Sequence, residues 1–200
     1  LWQGELAGQA VRLLYNKFPF ARFHGLLVPE PERGLPQSLT RDQHERAWAV
    51  CAGSGVPGLC LGYNSLGAGA SVNHLHFQSF VADGGLPIQA PRFSHNGGRE
   101  AYPLPCVRCG DAAAAWRQIE ALHRADQPYN LIYSRDAAHL VARRPQDDAA
   151  LADDTRAWGW SEMAGALTLF SREAYQALDA AAFETGLARF APEKTVISTG

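Results

Sequence analysis

Between Ser71 and Gln78 the chain reads Ser-Val-Asn-His-Leu-His-Phe-Gln. Polar and apolar residues alternate there with the period of an extended strand, so His74, His76 and Gln78 share one face and Leu75 and Phe77 the other. The chain must therefore build a sheet that takes hydrocarbon on one side and presents two imidazoles and an amide on the other. Three such groups in a row are a poor choice for an apolar core. They suit a face that holds a ligand. A half-exposed strand with solvated side chains is the plain alternative, and a metal pair is a second one, because histidines two residues apart can reach one ion.

The other runs are short and punctuated by turn residues. Strands are predicted over residues 10–16, 24–28, 59–64 and 71–81, with an edge strand at best over 86–93, where Pro87 and Pro91 interrupt. Thr40 followed by Gln43 resembles a capping box that opens a helix over 43–51. Residues 94–110 read as a loop, 112–124 as an Ala-rich helix, and 129–134 with 139–143 as a hairpin across Arg135-Asp136. A strand over 163–170 and a final helix from Ser171 to Arg189, with Tyr175, Leu178, Ala182 and Phe183 on one face, complete the pattern. Hairpins with a few helices predict an α+β domain over residues 1–200, with a mostly antiparallel sheet of about five or more strands and flanking helices.

Hydrophobic residues make up 46% of the 200, enough for a sizeable core. Lys plus Arg number 18 against 20 for Asp plus Glu, a formal charge of −2, which excludes nucleic-acid binding through a general basic surface. No run approaches a membrane span. Neither a signal peptide nor a disulfide scaffold is evident, so the four cysteines read as reduced thiols of a cytoplasmic protein. The chain opens on Leu1, and both ends are expected to be trimmed from something longer.

Upstream of the histidines lies Asn64-Ser65-Leu66-Gly67-Ala68-Gly69-Ala70-Ser71. Glycines such as Gly67 and Gly69 let backbone amides approach an anion, and Ser71 and Asn64 add side-chain donors. Such a loop running into His-x-His-x-Gln places phosphate donors beside a nucleophilic imidazole, the arrangement needed for nucleotidyl transfer through histidine.

The segments Gly62-Tyr63-Asn64-Ser65-Leu66-Gly67-Ala68 and Asn73-His74-Leu75-His76-Phe77-Gln78 resemble the histidine-triad (HIT-like) superfamily, in the branch whose third motif position is Gln. That branch includes galactose-1-phosphate uridylyltransferase, diadenosine tetraphosphate phosphorylase and the GDP-hexose phosphorylases, and the resemblance is strongest to the last. Leu26-Leu27-Val28-Pro29, Leu35-Pro36-Gln37 and Trp160-Ser161-Glu162-Met163-Ala164-Gly165 extend it along the chain. The resemblance implies that His76 is the nucleophile, forming a covalent nucleotidyl-imidazole, and that Gln78 hydrogen-bonds the transferred phosphoryl group. It implies that His74 orients His76, most simply through its backbone carbonyl, and that Ser71 and Asn64 contact phosphate, the Asn-to-Ser spacing being one residue short of the uridylyltransferase pattern. Gln cannot supply a proton as His can, which suits a phosphate acceptor better than water. The implied substrate is a nucleotide-sugar or a dinucleoside polyphosphate, and the acceptor is inorganic phosphate or a sugar phosphate. No metal or other cofactor is required, and a homodimer is expected. Hydrolysis and non-catalytic nucleotide binding remain the alternatives.

Family members place nucleoside contacts around the first strand and turn, here Asn16 and Lys17, where an ordinary turn is an even alternative. Cys106 and Cys109 have the spacing of half a zinc site, with free thiols the first reading and structural zinc the second. His24 reads as a packed or capping histidine, His44, His95 and His123 are given no role, and Trp160 reads as core or interface.

Overall fold

The computed structural model describes residues 1–151, 157–169 and 171–197. Its sheet contains β1 (Trp2–Leu6), β2 (Gln9–Tyr15), β3 (Arg22–Pro29), β4 (Leu59–Asn64), β5 (Phe77–Val81), β6 (Cys106–Cys109), β7 (Tyr129–Tyr133) and β8 (Ala138–Ala142). The spatial order is β1-β2-β3-β5-β4-β7-β8-β6, and each neighbouring pair is antiparallel. An α+β fold with an antiparallel sheet is thus as expected, and its eight strands satisfy the five or more predicted, though not all at the predicted positions.

Alternation along the strands sorts the apolar residues onto two faces. Val11, Leu27, Phe77, Leu61, Leu131 and Leu140 pack into one core beneath α1 (Arg41–Gly53) and α2 (Ala112–Arg124). Thr40 caps α1 by accepting from the Gln43 amide, and Asp111 caps α2 through the Ala114 amide. The opposite face carries Cys60, Phe80, Ile132 and Val141, covered by Ile88, Leu104, Trp160, Met163, Leu187 and Phe190. Trp160 opens α3 (Trp160–Met163) and lies directly over Gly62, where a Cβ would fall 2.5 Å from the indole. This cover stops near β5. The same face of β2, β3 and the chain leading into β5 is left open, and the candidate site lies there.

Several local expectations give way to long-range partners. β1 was unmarked and exists as the hairpin partner of β2. The strand predicted over 71–81 begins at Phe77, because the ladders to β3 and β4 stop at Leu27–Phe77 and Gly62–Gln78. Residues 87–89 form a 3-10 turn instead of an edge strand, since Pro87 lacks a donor and favours a first helical turn. The loop over 94–110 contains β6, which is recruited by β8. In place of a strand over 163–170, α3 ends at Met163 and no regular element runs over 164–169; residue 170 lies outside the described residues. The last helix divides into α4 (Arg172–Gln176) and α5 (Ala180–Ala188), the latter capped afresh by Asp179. Its supposed apolar face is not buried at Tyr175, which is 71% exposed.

Being three apart on a strand, Cys106 and Cys109 point to opposite faces, one into each core. The zinc half-site read from their spacing is therefore not assembled by this pair. Burial also raises both thiols, Cys109 to about 11.

His139 on β8 is 2% exposed, with Nε2 3.0 Å from Asn96 Oδ1 and with His95 and Arg108 as its charged neighbours. Burial first, then those two groups, lower it to about 3. The unfolded imidazole takes a proton below about pH 6.5 while the folded one resists until near 3, so this contribution is intact above pH 6.5 and is lost as the pH falls. At about 1.4 kcal/mol per pH unit, His139 is expected to remove about 2 kcal/mol between pH 6.5 and 5. Urea unfolding at pH 7 and 5 checks this. His139→Gln should lose correspondingly less, and an equal loss would contradict the assignment.

Candidate active site

The open face is built from three adjacent strands in fixed register. Leu14 pairs with Leu26, Leu26 with Gln78, and Gln78 with Gly62, giving one row across β2, β3, β5 and β4. A cleft of about 520 Å³ lies over it, lined by Arg12, Leu14, Asn16, Leu26, Val28, Pro31, Ser71, Val72, His74, His76 and Gln78. His76, Gln78, His74, Ser71 and Asn16 are thereby brought together. The alternation noted in the sequence persists beyond the strand itself, with Leu75 and Phe77 buried and His74, His76 and Gln78 half-buried.

His76 Nδ1 lies 2.9 Å from the backbone carbonyl of His74. A carbonyl can only accept, so Nδ1 carries the proton and the Nε2 lone pair is left free on the cleft side of the motif. Gln78 Oε1 sits 2.8 Å from His24 Nε2. His24 Nδ1 in turn lies 3.3 Å from the Phe20 amide, which can only donate, so His24 carries its proton on Nε2 and donates it to Gln78. Gln78 is thus held by its oxygen, and its NH2 group is the end available to a ligand. Burial lowers the His24 pKa against the opposing pull of the Gln78 bond, which keeps the ring neutral for this task.

His24 is the site residue that the sequence did not mark. Its one signal is that His24, Leu26 and Val28 repeat the same period of two, but only the register to β5 shows which side chain they meet. Asn16 borders this corner: its Oδ1 accepts from the Phe18 amide at 2.9 Å, and its Nδ2 lies 3.0 Å from His24 Nε2, a contact between two donors that is not a hydrogen bond in this tautomer. Lys17 is exposed beside the Phe18 ring, outside the cleft lining.

The glycine-rich loop is placed differently. Asn64 is buried, its Oδ1 accepting from Asn130 Nδ2 and from the Trp160 amide, each at 2.8 Å, and its Nδ2 donating to the Gly69 carbonyl at 3.2 Å. The Gly69 amide donates to Gln146 Oε1 at 2.6 Å, and a Cβ on Gly69 would strike Trp158 and Gly159 backbone at 2.9 Å. Gly67 adopts a positive φ of 75° against Pro128. Asn64, Gly67 and Gly69 therefore lie outside the cleft and tie the loop to residues 128, 130, 146 and 158–160. The small side chains serve close backbone packing at these positions.

An eight-stranded antiparallel sheet flanked by helices, with a histidine and a glutamine on its open face, is an α+β fold. Crystal structures of yeast Ap4A phosphorylase Apa2 share it: the chain aligns with the free form at TM-score 0.68 and 18% identity, and with the AMP complex at 0.66 and 19%. These alignments cover 92% and 90% of this chain and 73% of Apa2. Residues 5–80 match the family described as GDPGP1-like, N-terminal domain. Among curated proteins, GDP-D-glucose phosphorylase 1 of Macaca fascicularis is 42% identical over 89 residues, 44% of this chain and 23% of that protein. GDP-L-galactose phosphorylase 2 of Arabidopsis thaliana is 39% identical over 74 residues, 37% of this chain and 17% of that protein. The matched stretch spans less than a quarter of these relatives' length. Together the matches fit the branch of GDP-hexose and Ap4A phosphorylases that the sequence resembles. No described helix is long and apolar enough to cross a membrane.

Proposed function

We propose that the protein catalyses phosphorolysis of a nucleotide-sugar, with a GDP-hexose as the leading substrate, through a nucleotidyl-histidine at His76. The observation that carries this is the hydrogen bonding of His76: Nδ1 lies against the His74 carbonyl, which leaves the Nε2 lone pair free, and the residue lines a cleft together with a Gln78 amide whose oxygen is already engaged.

In the first half-reaction the Nε2 lone pair attacks the α-phosphorus, a P–N bond forms, and the bond to the bridging oxygen breaks. The hexose 1-phosphate leaves with that electron pair. In the second, an oxygen of inorganic phosphate attacks the same phosphorus, the P–N bond breaks, and a nucleoside diphosphate departs from the restored imidazole. The Gln78 NH2 and Ser71 hydroxyl donate to the phosphoryl oxygens as negative charge builds. Phosphate is already anionic, so the absence of a titrating group at position 78 costs nothing in this direction, whereas a water molecule would have to lose a proton. Asn16 borders the nucleoside end of the cleft. The description of the family matched over residues 5–80 and the names of the curated relatives favour the GDP-hexose, and the Apa2 fold keeps a dinucleoside polyphosphate as the second substrate to try.

Product analysis tests the reaction. Incubation with GDP-glucose should yield GDP in proportion to added phosphate. Release of GMP at an undiminished rate without phosphate would replace phosphorolysis by hydrolysis.

A further inference from the structure

Phe77 is the first residue of β5, yet the proposed nucleophile sits one residue before it, beyond the last ladder pairs to β3 and β4. What holds His76 is the segment from Leu35 to Gln37. The Leu75 amide donates to the Leu35 carbonyl at 2.7 Å, as a strand neighbour would. Pro36 then has no N–H to continue the ladder, and the chain turns as the Ser38 amide bonds back to the Pro36 carbonyl at 2.7 Å. The next donor–acceptor pair comes from a side chain. Gln37 Oε1 accepts from the His76 amide at 2.9 Å, and Gln37 Nε2 lies 3.3 Å from the His76 carbonyl and 2.8 Å from the Asn64 carbonyl. A primary amide carries the same groups as a peptide unit, so this side chain stands in for the missing strand residue.

Gln37 itself is fully committed. It is 1% exposed, its amide donates to Asn73 Oδ1 at 2.9 Å, and its carbonyl accepts from the Tyr63 hydroxyl at 3.2 Å. It bonds the backbone of His76, the last residue of β4 and the side chain of Asn73, and among the described residues His76 is the member of the cleft lining to which it hydrogen-bonds.

We propose that Gln37 is the positioning residue of the nucleophile: its side-chain amide replaces a strand neighbour for His76 and sets where the imidazole Nε2 stands relative to Gln78. The proposal rests on the reading of His76 as nucleophile, and its test separates the two. Gln37→Met keeps the length and removes all three side-chain bonds. Gln43→Met, a buried glutamine on α1 with no hydrogen bond to His76, serves as the control for losing a buried amide. Hydrogen exchange at the His76 amide reads the contact without catalysis: it should be protected in the wild type and in Gln43→Met, and exchange at least about ten-fold faster in Gln37→Met. Unchanged protection overturns the proposal even if no enzyme activity is found.

Single-turnover transfer of GMP to His76 reads its purpose. We expect a drop of about 100-fold in rate in Gln37→Met with nucleotide affinity within about three-fold, and no such drop in Gln43→Met. A rate within about three-fold of wild type overturns the positioning role. Gln37→Glu supplies a further readout that stability alone does not produce. As a carboxylate it accepts from the His76 amide but cannot donate to the two carbonyls, and protonation restores one donor. Its rate relative to wild type should therefore rise as pH is lowered from 7.5 to 5.5, and a flat ratio would count against the proposal. Failure of the wild type to form any adduct, with the exchange pattern as expected, sinks the function assigned to His76 and leaves the hydrogen-bond role of Gln37 standing.

Discussion

His76→Ala is expected to form no covalent nucleotide adduct and to lower turnover by about 10⁴-fold or more, a barrier rise of roughly 5 kcal/mol. The size follows from the chemistry, because the Nε2 lone pair is the group that would bond to phosphorus and neither Gln78 nor Ser71 can take its place. The same change should leave the fold intact. The ring is half-buried and its hydrogen bond is to the His74 carbonyl, so unfolding free energy should move by no more than about 1 kcal/mol. Intact mass after incubation with GDP-glucose, paired with urea unfolding, checks both halves. An adduct of equal yield in the variant would move the nucleophile elsewhere and remove the proposed mechanism.

Asn64→Leu should have the largest effect on stability. It leaves the Trp160 amide and one Asn130 N–H without an acceptor and the Gly69 carbonyl without its side-chain donor, all in a buried corner. At about 1–3 kcal/mol for each unsatisfied buried group, a loss of about 4 kcal/mol is expected in urea unfolding. An Asn that served as a solvent-facing phosphate ligand would behave in the opposite way, with stability within about 0.5 kcal/mol and weaker nucleotide binding. The measurement thus separates the strut seen in the structure from the phosphate contact implied by the resemblance.

The contrast between these two residues shows what could be read in advance. His76 lies in a run whose alternation fixes, by strand geometry alone, that His74 and Gln78 share its side. Asn64 lies in a loop where residue type says only that a polar group and close backbone approach are wanted. Gly69 satisfies that demand against Trp158 and Gly159, about 90 positions away, and no local pattern names them. His24 and Gln37 escaped for the same reason. One is a histidine ahead of an apolar strand and the other a glutamine after a proline, and their importance comes from partners on β5 and in the segment before it.

The sequence by itself determined the α+β class, helices over 43–51 and 112–124, the first with its Thr40 cap, and the shared face of His74, His76 and Gln78, because period and capping act over a few residues. Tertiary structure alone decided that β1 and β6 exist, that Cys106 and Cys109 are parted, that the glycine-rich loop packs inward, and that His24 and Gln37 serve the site. Those outcomes depend on hydrogen-bond partners and packing surfaces supplied from distant segments. A side chain's role there is fixed by what the register brings opposite it.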